Sequence, residues 1–111
     1  VYAEKISNSE GFIIKRGYDK LLKEKNVLVV EDNLVTGGSV RKVIEAVRLL
    51  DGNIVGVAVL CNRGNVSLHD LGDAPKLTAL FELYLETWEA ADCPLCQKNI
   101  PINSNLGKGR R

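Results

Sequence analysis

Hydrophobic positions along the chain predict one clear strand–helix–strand unit near its middle. Residues 27–30 are wholly apolar and lie between charged residues, a pattern that suits a parallel strand buried on both faces. From Ser39 to Leu50 the apolar residues recur at helical spacing, with Ser39 as the N-cap and residues 51–53 (Asp-Gly-Asn) as the stop signal. Residues 54–60 read as a second buried strand. This order predicts a βαβ unit with a right-handed crossover.

The segments before this unit are less regular. Residues 1–5 and 12–15 are extended candidates on either side of a polar turn at residues 7–11, which predicts a hairpin. Residues 20–26 are highly charged, and we expect them to be a surface connection.

The segments after the unit are ambiguous. Residues 76–88 fit one face of a helix and also the alternation of a strand, and we expect a strand from about Leu80 onward. After Cys93 the chain is rich in Pro, Gly and Asn, which predicts irregular structure.

Size and composition indicate a single α/β domain over residues 1–111. The net charge of +1, from 15 basic and 14 acidic residues, lacks the basic excess expected of a nucleic-acid binder. No apolar run approaches the roughly 18 residues that span a membrane. Three cysteines, an odd number, argue against a disulfide scaffold and fit a reducing cytoplasm. Because the chain contains no methionine and starts at Val1, we expect it to be truncated at its N-terminus.

Candidate chemistry lies between the first predicted strand and the helix. The strand delivers two adjacent carboxylates, Glu31 and Asp32, to its C-terminal end, where open parallel sheets bind ligands. The turn then ends in residues 36–39 (Thr-Gly-Gly-Ser) at the start of the helix. The glycines allow close approach of the backbone, and the amide groups with the helix dipole favour an anion.

Paired acids beside a phosphate cradle suit a ligand with vicinal hydroxyls next to a phosphate, such as ribose 5-phosphate. The segment lacks the Lys of a Walker loop and the spacing of a dinucleotide fingerprint. The alternative is a plain strand-to-helix turn capped by Ser39, with both acids solvated. The predicted binding residues are Glu31, Asp32, Asn33, Leu34, Val35, Thr36, Gly37, Gly38 and Ser39.

At these residues the sequence resembles the phosphoribosyl pyrophosphate motif of type I phosphoribosyltransferases, a hydrophobic strand followed by two acids, a spacer and Thr-Gly-Gly-Ser. The resemblance implies their Rossmann-like parallel sheet, here truncated at the N-terminus. It extends over essentially the whole chain and looks closest to bacterial and archaeal orotate phosphoribosyltransferases. It therefore implies transfer of phosphoribosyl from phosphoribosyl pyrophosphate to orotate, with Mg²⁺ as cofactor, in a cytoplasmic enzyme that generally forms homodimers.

The same resemblance assigns further residues. Lys5, in a segment similar to the family's mobile catalytic loop, would contact the pyrophosphate, and Asp32 would be catalytic beside it. Arg63 follows the second strand, as does the family's arginine for the orotate carboxylate, and a planar guanidinium suits a carboxylate. Arg16, in a stretch similar to one that leads into the motif strand, is a weaker candidate.

Departures from the family pattern leave other readings open. Val35 stands where orotate enzymes commonly carry a threonine, and Asn62 replaces their usual aspartate. One alternative is a type I phosphoribosyltransferase for another base. Another is a non-catalytic phosphoribosyl pyrophosphate-binding or regulatory fragment.

Cys93 and Cys96 form one C-x-x-C, which is half of a zinc site and needs two further ligands.

Overall fold

The structure, a computed structural model, describes residues 1–6, 11–15 and 17–101. In chain order its elements are β1 (Glu4–Lys5), β2 (Phe12–Ile13), α1 (Asp19–Leu22), β3 (Asn26–Leu34), α2 (Gly38–Leu49), β4 (Asn53–Asn62), β5 (Leu77–Glu82) and α3 (Pro94–Gln97). None of the helices in these ranges is long and apolar enough to cross a membrane.

A three-stranded parallel sheet in the order β3-β4-β5 is the centre of the fold. Helix α2 connects β3 to β4, so the predicted βαβ unit and the predicted α/β class are confirmed. The helix begins and ends one residue earlier than predicted, because its N-cap is Gly37 rather than Ser39. Asp51 adopts a left-handed conformation and Gly52 N–H donates to the carbonyl of Val47, which ends the helix as the stop signal predicts.

One face of the sheet packs against α2 and forms the core. Val40, Ile44 and Val47 of the helix are buried with Val29, Val57 and Val59 of the strands. Strand alternation points every second side chain toward this face. At about 0.8 kcal/mol per buried methylene group, burial of these aliphatic side chains stabilises the βαβ unit.

The opposite face of the sheet is exposed, so the prediction that the strand at residues 27–30 is buried on both faces is wrong, and the second strand is buried on one face only. Leu28 and Val30 of β3 are 55% and 69% exposed, and Leu60 and Leu80 on the neighbouring strands are 59% and 69% exposed. The apolar runs contain residues for two faces, but α2 covers only one of them. Within the described part of the chain, the second face keeps its hydrophobic side chains without a covering layer.

Several flanking predictions are confirmed and others corrected. The hairpin is present, with β1 antiparallel to β2, although most of its predicted turn (residues 7–10) lies outside the described residues. Residues 20–26 are not merely a surface connection, because they include most of α1, whose Leu22 is buried in the core. The ambiguous segment is a strand, but it starts at Leu77 and ends at Glu82. After Cys93 the chain forms the short helix α3.

Candidate functional site

The site is built at the carboxyl ends of β3 and β4. Because these strands are parallel, the β3–α2 loop (residues 35–37) and the β4–β5 connection (residues 63–76) leave the same edge of the sheet. A pocket of about 260 Å³ opens at the β3–α2 loop. The residues that line it are Glu31, Asn33, Leu34, Val35, Thr36, Gly37, Gly38, Ser39 and Val40.

The β3–α2 loop presents its backbone to this pocket. Gly37 has φ of 75°, a left-handed conformation that L side chains rarely adopt, which explains the need for glycine. Helix α2 then starts at Gly38, and its first intrahelical bond runs from Arg41 N–H to the carbonyl of Gly37 (2.9 Å). Amide groups in the first turn of a helix lack intrahelical acceptors and favour an anion. An anion is therefore favoured at this end of the pocket.

Hydroxyl groups flank these amides. Thr36 Oγ1 accepts a long hydrogen bond of 3.4 Å from Gly38 N–H, and no side chain caps the helix. Ser39 lies in the first helical turn and lines the pocket, rather than capping the helix as predicted. Thr36 and Ser39 thus both line the pocket, and their contact with a phosphate stays a prediction.

The two acids of the motif are separated by the alternation of β3. Glu31 and Asp32 are both exposed, and Glu31 Oε1 accepts a hydrogen bond from Asp32 N–H (2.9 Å). Glu31 lines the pocket, whereas Asp32 does not, because adjacent strand residues point to opposite sheet faces. The geometry thus brings one of the two predicted acids to the pocket, and a role for Asp32 stays a prediction.

The central residues of the motif lie where the strand becomes the loop. Asn33 is exposed, Leu34 is buried in the core and Val35 is 37% exposed, and all three line the pocket. Val35 carries no hydroxyl, so only backbone groups of this residue can donate to or accept from a polar ligand.

The β4–β5 connection supports the loop from one side, which sequence reasoning missed. A Cβ atom on Gly37 would lie 2.9 Å from Leu71 Cδ2 and 3.0 Å from Val66 Cγ1. A Cβ atom on Gly64 would overlap the carbonyl oxygen of Val35. Leu71 and Val66 are both buried, so these contacts are dry and close-packed. The conformation of the β3–α2 loop therefore depends on residues about 30 positions later in the chain.

Asn62 fixes the start of that connection. Its buried side-chain amide donates to the carbonyl of Val66 and accepts from Val66 N–H, both at 3.0 Å. An aspartate there would offer two acceptors and lose the bond to the carbonyl. Asn62 thus has a structural role that the sequence comparison with aspartate did not suggest. The sequence signal for this role is the Gly64-Asn65 turn that follows Asn62 by two residues.

Arg63 lies next to the loop without lining the pocket. Its backbone N–H donates to the carbonyl of Leu34 (2.9 Å), and its side chain is half-buried. Within the described ranges, the buried Nε of Arg63 has no hydrogen-bond acceptor. A buried guanidinium N–H without a partner is costly, so a ligand carboxylate would satisfy it.

Lys5 is not brought to the pocket. It lies exposed in β1, and β2, its partner in the hairpin, packs against α2. The neighbouring Tyr2 and Ala3 instead line a larger pocket of about 560 Å³, which shares Glu31 and Val40 with the first. Arg16 lies outside the described residues.

Metal-binding side chains form no cluster in the part of the chain that the structure describes. Among residues 1–6, 11–15 and 17–101, no three His, Cys, Asp or Glu side chains are grouped as metal ligands would be. Cys93 and Cys96 therefore remain a pair, without the two further ligands that a structural zinc site requires.

Comparison with known protein families identifies the family of the domain that contains this pocket. The sequence profile described as "Phosphoribosyl transferase domain" matches residues 8–81, which include β3, the loop, α2 and β4. The chain belongs to the phosphoribosyltransferase family. The resemblance seen at the Thr-Gly-Gly-Ser motif is thereby confirmed, and the pocket of this phosphoribosyltransferase domain lies within the matched region.

Curated relatives of this phosphoribosyltransferase domain carry a consistent name. It is 41% identical to the orotate phosphoribosyltransferase of Thermoanaerobacter sp. over 90 residues, covering 80% of this chain and 45% of the relative. It is 44% identical over 89 residues to that of Caldicellulosiruptor bescii, with coverage of 80% and 45%. It is 33% identical over 106 residues to that of Chlorobaculum parvum, with coverage of 94% and 51%. The chain thus spans about half the length of these relatives.

Proposed function

We propose that this chain is the phosphoribosyl pyrophosphate-binding part of an orotate phosphoribosyltransferase, which forms orotidine 5'-monophosphate and pyrophosphate. The observation that carries the proposal is the pocket at the β3–α2 loop, which is lined by the first residues of helix α2 and by Thr36 and Ser39. The names of the relatives supply orotate as the base.

The loop would bind the 5'-phosphate of the sugar. Backbone amides of Gly38 and Ser39 would donate to phosphate oxygens, and the hydroxyl of Thr36 would add a third bond. Glu31 lies at the strand end that enters the pocket, so its carboxylate would accept from a ribose hydroxyl. These contacts hold the ribose in one orientation, and such positioning supplies much of the rate enhancement in group transfer.

The reacting groups would lie on the sugar side of this anchor. The base nitrogen attacks C1 of the ribose while pyrophosphate leaves, and negative charge develops on the departing oxygens. Arg63, with its unpaired Nε, would bind the orotate carboxylate and orient the base. Lys5 would stabilise the leaving pyrophosphate, which requires β1 to approach the pocket or a second chain to supply it.

Glu31 would also bind a magnesium ion. It is the exposed carboxylate that lines the pocket, and Mg²⁺ is usually held by one or two carboxylates together with substrate oxygens and water. The ion would neutralise charge on the pyrophosphate. Asp32 points to the opposite face of the sheet, so a role for it at the same ion requires a different arrangement of the strand end.

As implied by the family, we place the protein in the cytoplasm as a homodimer. The exposed leucine and valine side chains on the open sheet face support association with another polypeptide surface.

A second candidate function is binding without turnover. It is favoured by the placement of Lys5 and Asp32 away from the pocket. In that case the chain binds phosphoribosyl pyrophosphate as a non-catalytic or regulatory module.

A pyrophosphate-release assay separates these functions. With Mg²⁺ and phosphoribosyl pyrophosphate, we expect release with orotate but not with adenine or hypoxanthine. Release with adenine or hypoxanthine instead would identify a related enzyme for another base. Saturable binding without release with any base would favour the non-catalytic module, and absence of binding would remove both proposals.

Two substitutions test the roles of the acids in the same assay. Glu31→Gln and Asp32→Asn are isosteric, and we expect each to reduce turnover by orders of magnitude while leaving the unfolding midpoint unchanged. Wild-type turnover in a folded Asp32→Asn protein would restrict the carboxylate role to Glu31.

A further inference from the structure

Two cysteines outside the pocket have no part in the proposed reaction. Cys93 and Cys96 lie at either end of a single turn, since α3 begins at Pro94 and ends at Gln97. Cys93 is half-buried, Cys96 is exposed, and both are free thiols. The pair therefore lies where a small reagent can reach it.

The backbone of this turn is held by its own hydrogen bonds. Gln97 N–H donates to the carbonyl of Cys93 (3.0 Å), and Asn99 N–H donates to that of Cys96 (2.9 Å). Ile100 N–H closes the turn on the carbonyl of Leu95 (3.0 Å). Pro94 occupies the first helical position, where its fixed φ suits the helix. Within this turn the thiols of Cys93 and Cys96 are hydrogen-bonded to each other.

The turn makes the two thiols chemically unequal. Hydrogen bonds from the backbone N–H and the thiol of Cys96, and from Leu95 N–H, lower the pKa of Cys93. The pKa of Cys96 is raised because its thiol is hydrogen-bonded to Cys93, and because burial and the negative charge of Cys93 disfavour a second thiolate. The opposite directions of the two pKa shifts favour Cys93 as the nucleophilic cysteine and Cys96 as the resolving one.

We propose that Cys93 and Cys96 are a reversible dithiol–disulfide site, whose reaction partners are small-molecule disulfides and dithiols. A structural zinc site within one chain is the weaker reading, since no third ligand is grouped with the pair among the described residues. The proposal is independent of the ligand that occupies the pocket.

The exchange proceeds in two balanced steps. The Cys93 thiolate attacks one sulfur of a disulfide RSSR, which breaks the S–S bond, forms a mixed disulfide and releases RS⁻. Cys96 gives its proton to that RS⁻ and attacks the Cys93 sulfur, which expels the second RS⁻ to be protonated by water. Two protein thiols are oxidised, and one RSSR is reduced to two RSH.

The test treats the chain with glutathione disulfide and maps its thiols by mass spectrometry of the intact protein and its peptides. We expect an intrachain Cys93–Cys96 disulfide that dithiothreitol reverses. In C96S the reaction should stop at a mixed disulfide on Cys93. In C93S modification of Cys96 should be at least about tenfold slower, because thiolate reactivity is lost. Cys61, half-buried in β4, is the internal control and should stay reduced.

Three outcomes would overturn the proposal. The pair could stay reduced while Cys61 reacts, or iodoacetamide could alkylate Cys93 and Cys96 at equal rates at neutral pH. The purified chain could also contain one zinc ion per two chains and become oxidisable only after treatment with a chelator. That last result would assign the four thiols of two chains to a shared metal site.

Discussion

The two loops at the carboxyl edge of the sheet differ in how their shapes are maintained. The β4–β5 connection is fixed by hydrogen bonds, through Asn62 to Val66 and through Arg48 Nη1 to the carbonyl of Gly72 (2.8 Å). In the described part of the chain, the β3–α2 loop has one long side-chain hydrogen bond, from Gly38 N–H to Thr36, and one backbone bond, from Arg41 N–H to the carbonyl of Gly37. The rest of its support is packing against the β4–β5 connection.

This difference explains how the pocket is preorganised. If internal hydrogen bonds held the β3–α2 loop, its amide and hydroxyl groups would be occupied and unavailable to a ligand. The β4–β5 connection instead packs Val66, Leu71 and Gly64 against the loop, which supports its conformation by van der Waals contact. Substitutions in this connection and at its contacts with the loop should weaken the support by different amounts.

Removal of the Asn62 side-chain amide should have the largest effect. Asn62→Leu leaves the N–H and carbonyl of Val66 buried without partners, and the loss of two such partners should cost about 4 kcal/mol in the free energy of unfolding. Urea denaturation measures this value. Asn53→Leu is the matched control, because the side-chain amide of Asn53 donates to exposed Asn26 rather than to a buried backbone group. Equal losses in both variants would contradict the supporting role of Asn62.

A methyl group at Gly64 should displace the loop directly. The added Cβ would overlap the carbonyl oxygen of Val35, so one backbone must move, at a cost of about 3 kcal/mol. Affinity for ribose 5-phosphate should fall together with stability, since the moved residue lines the pocket. Unchanged affinity in a destabilised Gly64→Ala protein would show that the loop keeps its shape without this contact.

Gly37→Ala should be milder and is best compared with Gly17→Ala. Both glycines have positive φ, of 75° and 80°, so each variant carries backbone strain of about 1 kcal/mol. A Cβ atom on Gly17 meets no atom within 4 Å, whereas on Gly37 it meets Leu71 and Val66. The loss of stability in Gly37→Ala beyond that in Gly17→Ala, measured by thermal unfolding, gives the cost of the contacts with Leu71 and Val66. Equal losses would indicate that packing adds nothing.

The smallest effect is expected from Asp70, which closes a turn on the surface of the connection. Its carboxylate accepts hydrogen bonds from the hydroxyl (2.6 Å) and the N–H (2.8 Å) of Ser67, and these lower its pKa. The stabilisation is therefore complete above the ordinary pKa of about 3.9 and is lost as pH falls through the lower folded pKa. Asp70→Asn should be slightly less stable at pH 7, and the difference should disappear in acid. A pH-independent difference would contradict this.

Local patterns predicted the part of the fold whose signals are local. The bounds of α2 were predicted to within one residue at each end, because amphipathic spacing and the Asp-Gly stop act within a few positions. The parallel pairing of β3 with β4 followed from the helix between them. The role of Gly37 was also predictable, because a turn whose backbone closely approaches a ligand needs glycine.

Long-range packing could not be predicted in this way. Apolar runs in β3 and β4 resemble strands covered on both faces, and nothing local reveals that Leu28 and Leu60 are exposed. Whether Asp32 faces the pocket depends on how far β3 continues as a regular strand, and it extends to Leu34. The contact of Leu71 with Gly37 joins residues 34 positions apart, which no periodicity encodes.

The most direct test of the central claim follows backbone amides by nuclear magnetic resonance during a titration with ribose 5-phosphate. We expect saturable shifts that are largest for Gly37, Gly38 and Ser39, and no comparable shifts with ribose alone. Thr36→Val should weaken binding about tenfold, as expected for one lost hydrogen bond to a charged group, whereas the exposed control Thr78→Val should not. Absence of shifts at these three amides, or equal shifts with phosphate-free ribose, would contradict the assignment of this loop as the phosphate site.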